Sequence, residues 1–391
     1  MRQLSAKAIT LLFLGSLLCG CGINKKISDY MGDEDNTEPP SPLVEIAASV
    51  NITEVWSKNT GKGTAKQFLK LIPALSQQKI FIADSKGMVN AIDAVNGSTV
   101  WGHDTDLHIT GGPGIGATLV LAGTSEGDVL ALSPETGAEI WRAVVSSEIL
   151  SSPREAGGIV IVRTIDGKIF ALDANDGKRL WVYDRTVPAL TLRGTSSPII
   201  ADDMVIAGFD EGRIAVMELT TGKLVWETKV AVAGGRSELE RMVDIDAEPL
   251  VADGIIYVAT YQGKLAAVAL SSGDILWTRD ISSYAGISVD SSNLYITDDN
   301  SHVWALERQT GVSVWKQEKL AARAATGPAN IGAFVVVGDL EGYLHWMDKN
   351  TGEFVARIQV ADEKIITPPI VTDNILYAYT SGGTLGAYTV P

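Results

Sequence analysis

The chain has 391 residues, 46% of them hydrophobic and 20% charged, with 47 acidic against 32 basic side chains and a formal net charge of −15. An acidic balance of this size argues against nucleic acid and against an anionic membrane surface as partners. With two cysteines in all, no disulfide framework follows, and a chain this long can bury enough core to do without one.

Residues 1–20 read as a targeting signal. Arg2 and Lys7 give a positive start, and Ala8 to Leu18 is an apolar run too short to span a bilayer. It ends in Leu18-Cys19-Gly20-Cys21, with a small residue just before the second cysteine. That box resembles the lipobox of bacterial lipoproteins, which implies a mature chain that begins at Cys21 and carries lipid there. A plain secretory signal with two incidental cysteines is the alternative. Several acyl chains at about 0.8 kcal/mol per buried CH₂ would make a firm anchor. Gly22, rather than Asp, in the second mature position resembles lipoproteins sent on to the outer membrane. Residues 21–49 are acidic and then proline-rich (Pro39-Pro40-Ser41-Pro42), with little apolar periodicity, and read as a spacer of disordered or extended chain.

From residue 50 to 391 one frame recurs: a proline, a glycine 14 residues on, a second glycine 10 further, and a tryptophan 4 beyond that. The copies are Pro73-Gly87-Gly97-Trp101, Pro113-Gly127-Gly137-Trp141, Pro153-Gly167-Gly177-Trp181, Pro198-Gly212-Gly222-Trp226 and Pro249-Gly263-Gly273-Trp277. The sixth is degenerate (Ile287, Ser301, Gly311, Trp315), the seventh has Ala356 in the tryptophan slot, and the eighth stops after Pro369 and Gly383. Its missing tryptophan stands at the other end of the chain, at Trp56, where Ile52 takes the glycine slot because no turn precedes that strand.

The glycines supply the positive φ of tight turns, helped by Asx and Thr side chains as in Asp173-Ala-Asn-Asp176-Gly177. Between them the pattern has period 2, with Ile169 and Ala171 on one face and Phe170 and Leu172 on the other. A small residue recurs four after the first glycine (Ala91, Ala131, Ala171), which would let sheets approach with tryptophan as the large filler. Burying one such ring contributes at most about 4–6 kcal/mol. Four strands per ~40 residues is a propeller blade. The expected fold is therefore all-β: an eight-bladed β-propeller of four-stranded antiparallel blades, closed by the N-terminal strand joining the C-terminal blade.

Function in a repeat protein shows where the repeat is interrupted. The gap from tryptophan to the next proline is 12 residues for Trp101–Pro113 and Trp141–Pro153, but 17 for Trp181–Pro198 and 23 for Trp226–Pro249. These two longer connections are consecutive and so should lie side by side on one face. Trp56–Pro73 is also 17 but borders the closing blade. The first connection carries Leu190, Leu192 and Arg193, apolar and guanidinium groups that suit an exposed contact core or fold back onto the ring. The second, residues 234–246, could carry a helical turn and ends in Asp244 and Asp246. Asp-x-Asp alone is too few oxygens for a hard cation, and a turn or cap is the plainer reading. Gly111-Gly112-Pro113-Gly114-Ile115-Gly116 leads into a strand rather than a helix, so it is not a phosphate loop. No zinc pattern surrounds His103 and His108. No metal, cofactor or catalytic set is expected.

The glycine–tryptophan frame resembles the tryptophan-docking repeats of pyrroloquinoline quinone (PQQ) dehydrogenases over nearly all of residues 50–391. Those enzymes are longer, and many carry a vicinal cysteine pair that this chain lacks. The lipobox, the length and the two long connections are more similar to the BamB family, lipoprotein subunits of the outer-membrane β-barrel assembly machine. Leu190-Thr191-Leu192-Arg193-Gly194 and Arg241-Met242-Val243-Asp244-Ile245-Asp246 match its two loop motifs. The resemblance implies a non-enzymatic scaffold on the periplasmic face of the outer membrane. It implies contact with the POTRA domains of BamA through Leu190, Leu192, Arg193, Asp244 and Asp246, and help in folding nascent outer-membrane proteins. A quinone-dependent dehydrogenase, with cofactor and metal over the ring axis, and a generic periplasmic interaction propeller are the alternatives.

Overall fold

Residues 38–65, 67–185, 196–232 and 243–390 are described by the structure, a computed structural model. Among them the strands form eight four-stranded antiparallel sheets. Blade 1 comprises Ala74–Ser76, Lys79–Ala83, Met88–Asp93 and Thr99–Asp104, from the innermost strand outward. Blades 2 to 7 repeat that order from Ile109, Arg154, Ile199, Leu250, Ile287 and Ala329. Blade 8 takes Ile370–Thr372, Ile375–Tyr379 and Thr384–Thr389 from the C-terminus. Its outer strand is Thr53–Asn59, with Trp56 opposite Ala387. The ring closes as the repeat count requires.

Period-2 alternation gives every middle strand two buried faces. Ile169 and Ala171 join the core between blades 3 and 4, while Phe170 and Leu172 join the one between blades 2 and 3. Eight such cores separate neighbouring sheets; the last unites Tyr377, Tyr379, Leu385 and Ala387 of blade 8 with Ile80, Ile82 and Ile92 of blade 1. The recurring alanine stands directly across from the tryptophan on the outer strand, as in Ala91–Trp101, Ala131–Trp141 and Ala171–Trp181. The small side chain makes room for the ring opposite.

The tryptophan on the outer strand of each blade but the seventh reaches into the next blade. Trp101 Nε1 donates to Pro134 O at 2.9 Å, Trp141 to Ala174 O at 2.7 Å and Trp315 to Lys349 O at 2.7 Å; seven junctions share this bond. The indole then lies on the second glycine of the repeat. A Cβ on Gly137 would stand 2.5 Å from Trp101, and one on Gly177 2.7 Å from Trp141. That glycine is therefore required twice, for its positive φ and for the ring pressed against it.

The double requirement explains why the seventh copy has alanine in the tryptophan slot. Blade 8 has no turn between its third and outer strands, because those strands come from opposite ends of the chain. A tryptophan on blade 7 would have nothing to dock on. There the pair is exchanged: Trp346 stands on the third strand opposite Ala356, is fully buried, and among the described residues its Nε1 has no partner. Val50 and Ile52 pack into the same core.

Replacing Gly137 by alanine should cost about 1–2 kcal/mol of left-handed backbone strain plus about 1–3 kcal/mol of overpacking against Trp101. Gly254 has nearly the same φ (+73° against +72°) and open space around it, so Gly254→Ala should show the strain alone. Denaturant melts of both variants, and of Gly137→Ala combined with Trp101→Ala, separate the two contributions. Equal losses at the two glycines would contradict the docking account.

Candidate functional site

A propeller has two faces. On one, the turn between second and third strands meets the connection from the outer strand to the next blade, as when Thr105 N donates to Gly87 O at 3.0 Å and Val230 N to Gly212 O at 2.8 Å. Tryptophan docking occupies the other face. Both long connections belong to the first. Residues 186–195 and 233–242, with Leu190, Leu192 and Arg193, lie outside the described residues; the roots of both connections lie within them.

The first connection is gripped at both ends. Arg185, at its start, pairs with Glu227 at 2.6 Å, which also holds Arg213 at 2.7 Å. At its return, the buried Arg163 donates to Ser196 O at 3.2 Å and Ser196 Oγ at 3.1 Å. Arg163 and Arg185 each lie 5.1 Å from the centre of the Phe209 ring, within cation–π range. The second connection returns through Val243, Asp244 and Ile245, all buried. Ile245 N donates to Phe209 O at 3.4 Å, and Asp244 accepts Glu211 N at 3.4 Å.

The two returns meet over Gly208. A Cβ there would fall 2.2 Å from Ile245 and 3.0 Å from Ser196 Oγ. The close approach of the two roots thus depends on a glycine outside the repeat frame. Asp244 and Asp246 are brought together with the returning end of the first connection, but they differ in setting. Asp244 is only 5% exposed and is turned into its own chain. Asp246 is half-buried and lines a cavity of about 550 Å³ on the ring axis, together with Ser196 and Ser197.

All eight blades wall that cavity, and its charges come from residues far apart in sequence. Arg154 donates to both oxygens of Glu248, at 2.8 and 2.7 Å. Lys70 stands in the open mouth, donates to Tyr284 O at 2.7 Å and lies over the Tyr284 ring. Its position on the 17-residue connection from Trp56 was the available sequence signal; Arg154, Glu248 and Tyr284 carried none. Among the described residues no group of three His, Cys, Asp or Glu could hold a metal ion. Of the axial charges, Arg154 and Glu248 pair with each other, while Lys70 is held by the Tyr284 carbonyl.

Burial pushes the Asp246 carboxyl up to about 6, with Lys70 opposing the shift and Asp244 adding to it. A folded-state pKa above the unfolded value means the neutral acid is the form that folding favours. This contribution to stability is therefore full below pH 3.8 and is lost as pH rises through 6. Asp246→Asn should flatten the loss and raise stability above pH 7 by at most about 3 kcal/mol, less because solvent reaches the carboxylate. Thermal melts of both proteins from pH 4 to 8 check this; parallel profiles would count against the assignment.

The family model described as outer membrane protein assembly factor BamB matches residues 85–317. The outer membrane protein assembly factor BamB of Legionella pneumophila is 45% identical, over 98% of this chain and 99% of that relative. The crystal structure of BamB from Moraxella catarrhalis superposes with a TM-score of 0.79 at 30% identity, covering 87% of this chain and all of that one. The quinohemoprotein alcohol dehydrogenase of Comamonas testosteroni, at 14% identity and a TM-score of 0.70 over 88% of this chain, shares the fold alone.

Proposed function

This chain belongs to the BamB family of outer-membrane protein assembly factors, and we propose that it is the non-enzymatic scaffold subunit of that assembly, docking the POTRA domains of BamA through the connection face. Leu190, Leu192 and Arg193 supply the direct contact. Asp246 borders it from the axial cavity, and Asp244, covered by its own chain, positions the second connection. Lipid on Cys21 holds the mature protein at the periplasmic face of the outer membrane, with residues 21–49 leading from anchor to ring. Among the described residues no helix is long and apolar enough to cross a membrane.

The observation that carries this reading is the meeting of the two returns at Gly208. Both returning ends pack against the same strand position, so the two connections are rooted side by side. Arginine and bulky apolar groups between rigid roots are the composition of an interface core.

Two assays on one preparation test it. Immobilised protein should capture purified POTRA domains of BamA, and the same protein mixed with PQQ and Ca²⁺ should reduce no dye with alcohol substrates. Dye reduction without capture would replace the scaffold by the dehydrogenase.

A further inference from the structure

Residues 41–49 lie across the outer strand of blade 7, Phe354–Gln359, without joining it as a fifth strand. The segment starts at the connection face, where Ser41 N donates to Ala321 O at 3.0 Å, and ends beside the docking face, where Ser49 N donates to Val355 O at 2.9 Å. It therefore runs antiparallel to the strand it covers. Leu43, Val44 and Ile46 are half-buried, whereas Pro42 and Glu45 face solvent.

Two arginines hold its main chain. Arg323, 2% exposed, donates from Nη1 to Ser41 O at 2.9 Å; Asp339, fully buried, and Glu341 hold the rest of its guanidinium. Arg357 donates from Nη1 to Val44 O at 2.9 Å and from Nε to His345 Nδ1 at 3.1 Å, while His345 Nε2 donates to Asp339 at 2.9 Å. Arg357 Nη2 is buried and, among the described residues, has no partner. The edge is thus a prepared cleft with fixed donors for carbonyl oxygens, and its present occupant leaves one donor unmet.

Blade 7 is singled out among the blades. The residue before the tryptophan slot is an exposed apolar side chain elsewhere: Val100 45%, Ile140 48%, Leu180 48%, Leu276 51%. Val355 is the covered one and packs, as Val50 and Ile52 do, against the core between blades 7 and 8. One position after that slot, only blade 2 also carries an arginine, Arg142, and it is engaged by Glu139.

We propose that the outer edge of blade 7 is a binding site for extended polypeptide, held closed in cis by residues 41–49, and that an extended client segment enters by displacing them. The recognised chemistry is that of the cis occupant: two main-chain carbonyls three residues apart, held by Arg323 and Arg357, with half-buried apolar side chains among the residues around them. It needs no fixed sequence, as main-chain recognition at a sheet edge generally does not. Because the client class rests on the assembly role proposed above, capture of BamA POTRA domains serves as the separate readout for that role.

The test uses the mature full-length protein and a fluorescein-labelled peptide of this chain's own residues 40–52. In a variant with residues 41–48 replaced by eight Gly/Ser residues, the peptide should bind about 100-fold more tightly than to wild type, since a tethered competitor at an effective millimolar concentration has been removed. Adding Arg357→Gln to that variant should abolish the gain, with near-UV circular dichroism unchanged. In wild type, excess peptide should speed hydrogen exchange at the Ser49 amide, a readout that does not depend on the variant folding. Equal peptide binding by wild type and the Gly/Ser variant, or an unaltered Ser49 exchange rate, overturns the proposal. POTRA capture should be the same for both proteins; its absence from wild type would sink the assembly role and leave the peptide results to judge the edge.

Discussion

Changing Leu190, Leu192 and Arg193 together to alanine should abolish capture of BamA POTRA domains while the ring melts as wild type does. Central interface residues each cost about 2 kcal/mol or more when truncated. Losing three therefore weakens binding by at least roughly 1,000-fold if even two act independently. The ring should be indifferent because its cores end at the roots of the connection. Arg163 and Arg185 hold those roots through Ser196, Glu227 and Phe209, and none of these residues is changed. Surface plasmon resonance against the POTRA domains, with a melt of the same sample, reads both quantities. Undiminished capture would remove the site assignment; a lowered melting temperature would mean that the leucines belong to the core.

The second large effect lies in the ring. Trp141→Ala should cost about 3–5 kcal/mol through the cavity it leaves, since the site is framed by two sheets that cannot both collapse. The indole is 7% exposed, bonds to Ala174 O at 2.7 Å and lies on Gly177. Trp141→Phe should retain part of the loss-making volume and forfeit the hydrogen bond, with a smaller deficit. An unchanged denaturation midpoint for the alanine variant would show that the blades are not held together at these junctions.

The ring could be read from sequence because each repeat post answers a local need: proline to open a blade, glycine to turn, tryptophan to fill. Closure was legible for the same reason, since Trp56 completes what Gly383 begins and Ile52 needs no turn. The second function of Gly137 and its equivalents was not legible. It depends on an indole 36 residues earlier in the chain whose position only the packed sheets define. Ala356 stands in the tryptophan slot of the seventh copy, and it is half of an exchanged pair with Trp346 at the junction where no turn exists.

For the candidate site, loop length pointed to the connection face and no further. Gly208, where the two returns meet, sits in an ordinary apolar strand and breaks no pattern. Arg154, Glu248 and Tyr284 converge on the axis with Lys70 from different blades, and nothing in their spacing betrays it. The acidic, proline-rich stretch before residue 50 read as a spacer, but its last part is bonded to Arg323 and Arg357, whose carbonyl-facing donors are invisible until the blades are assembled.

A photo-crosslinking side chain at position 190, compared in cells with one at Asn175 on an exposed turn of the opposite face, most directly tests the claim that the connection face meets the barrel subunit. The account predicts an adduct with BamA from position 190 and none from 175. An adduct from 175 alone would place the interface on the tryptophan-docking face and contradict it.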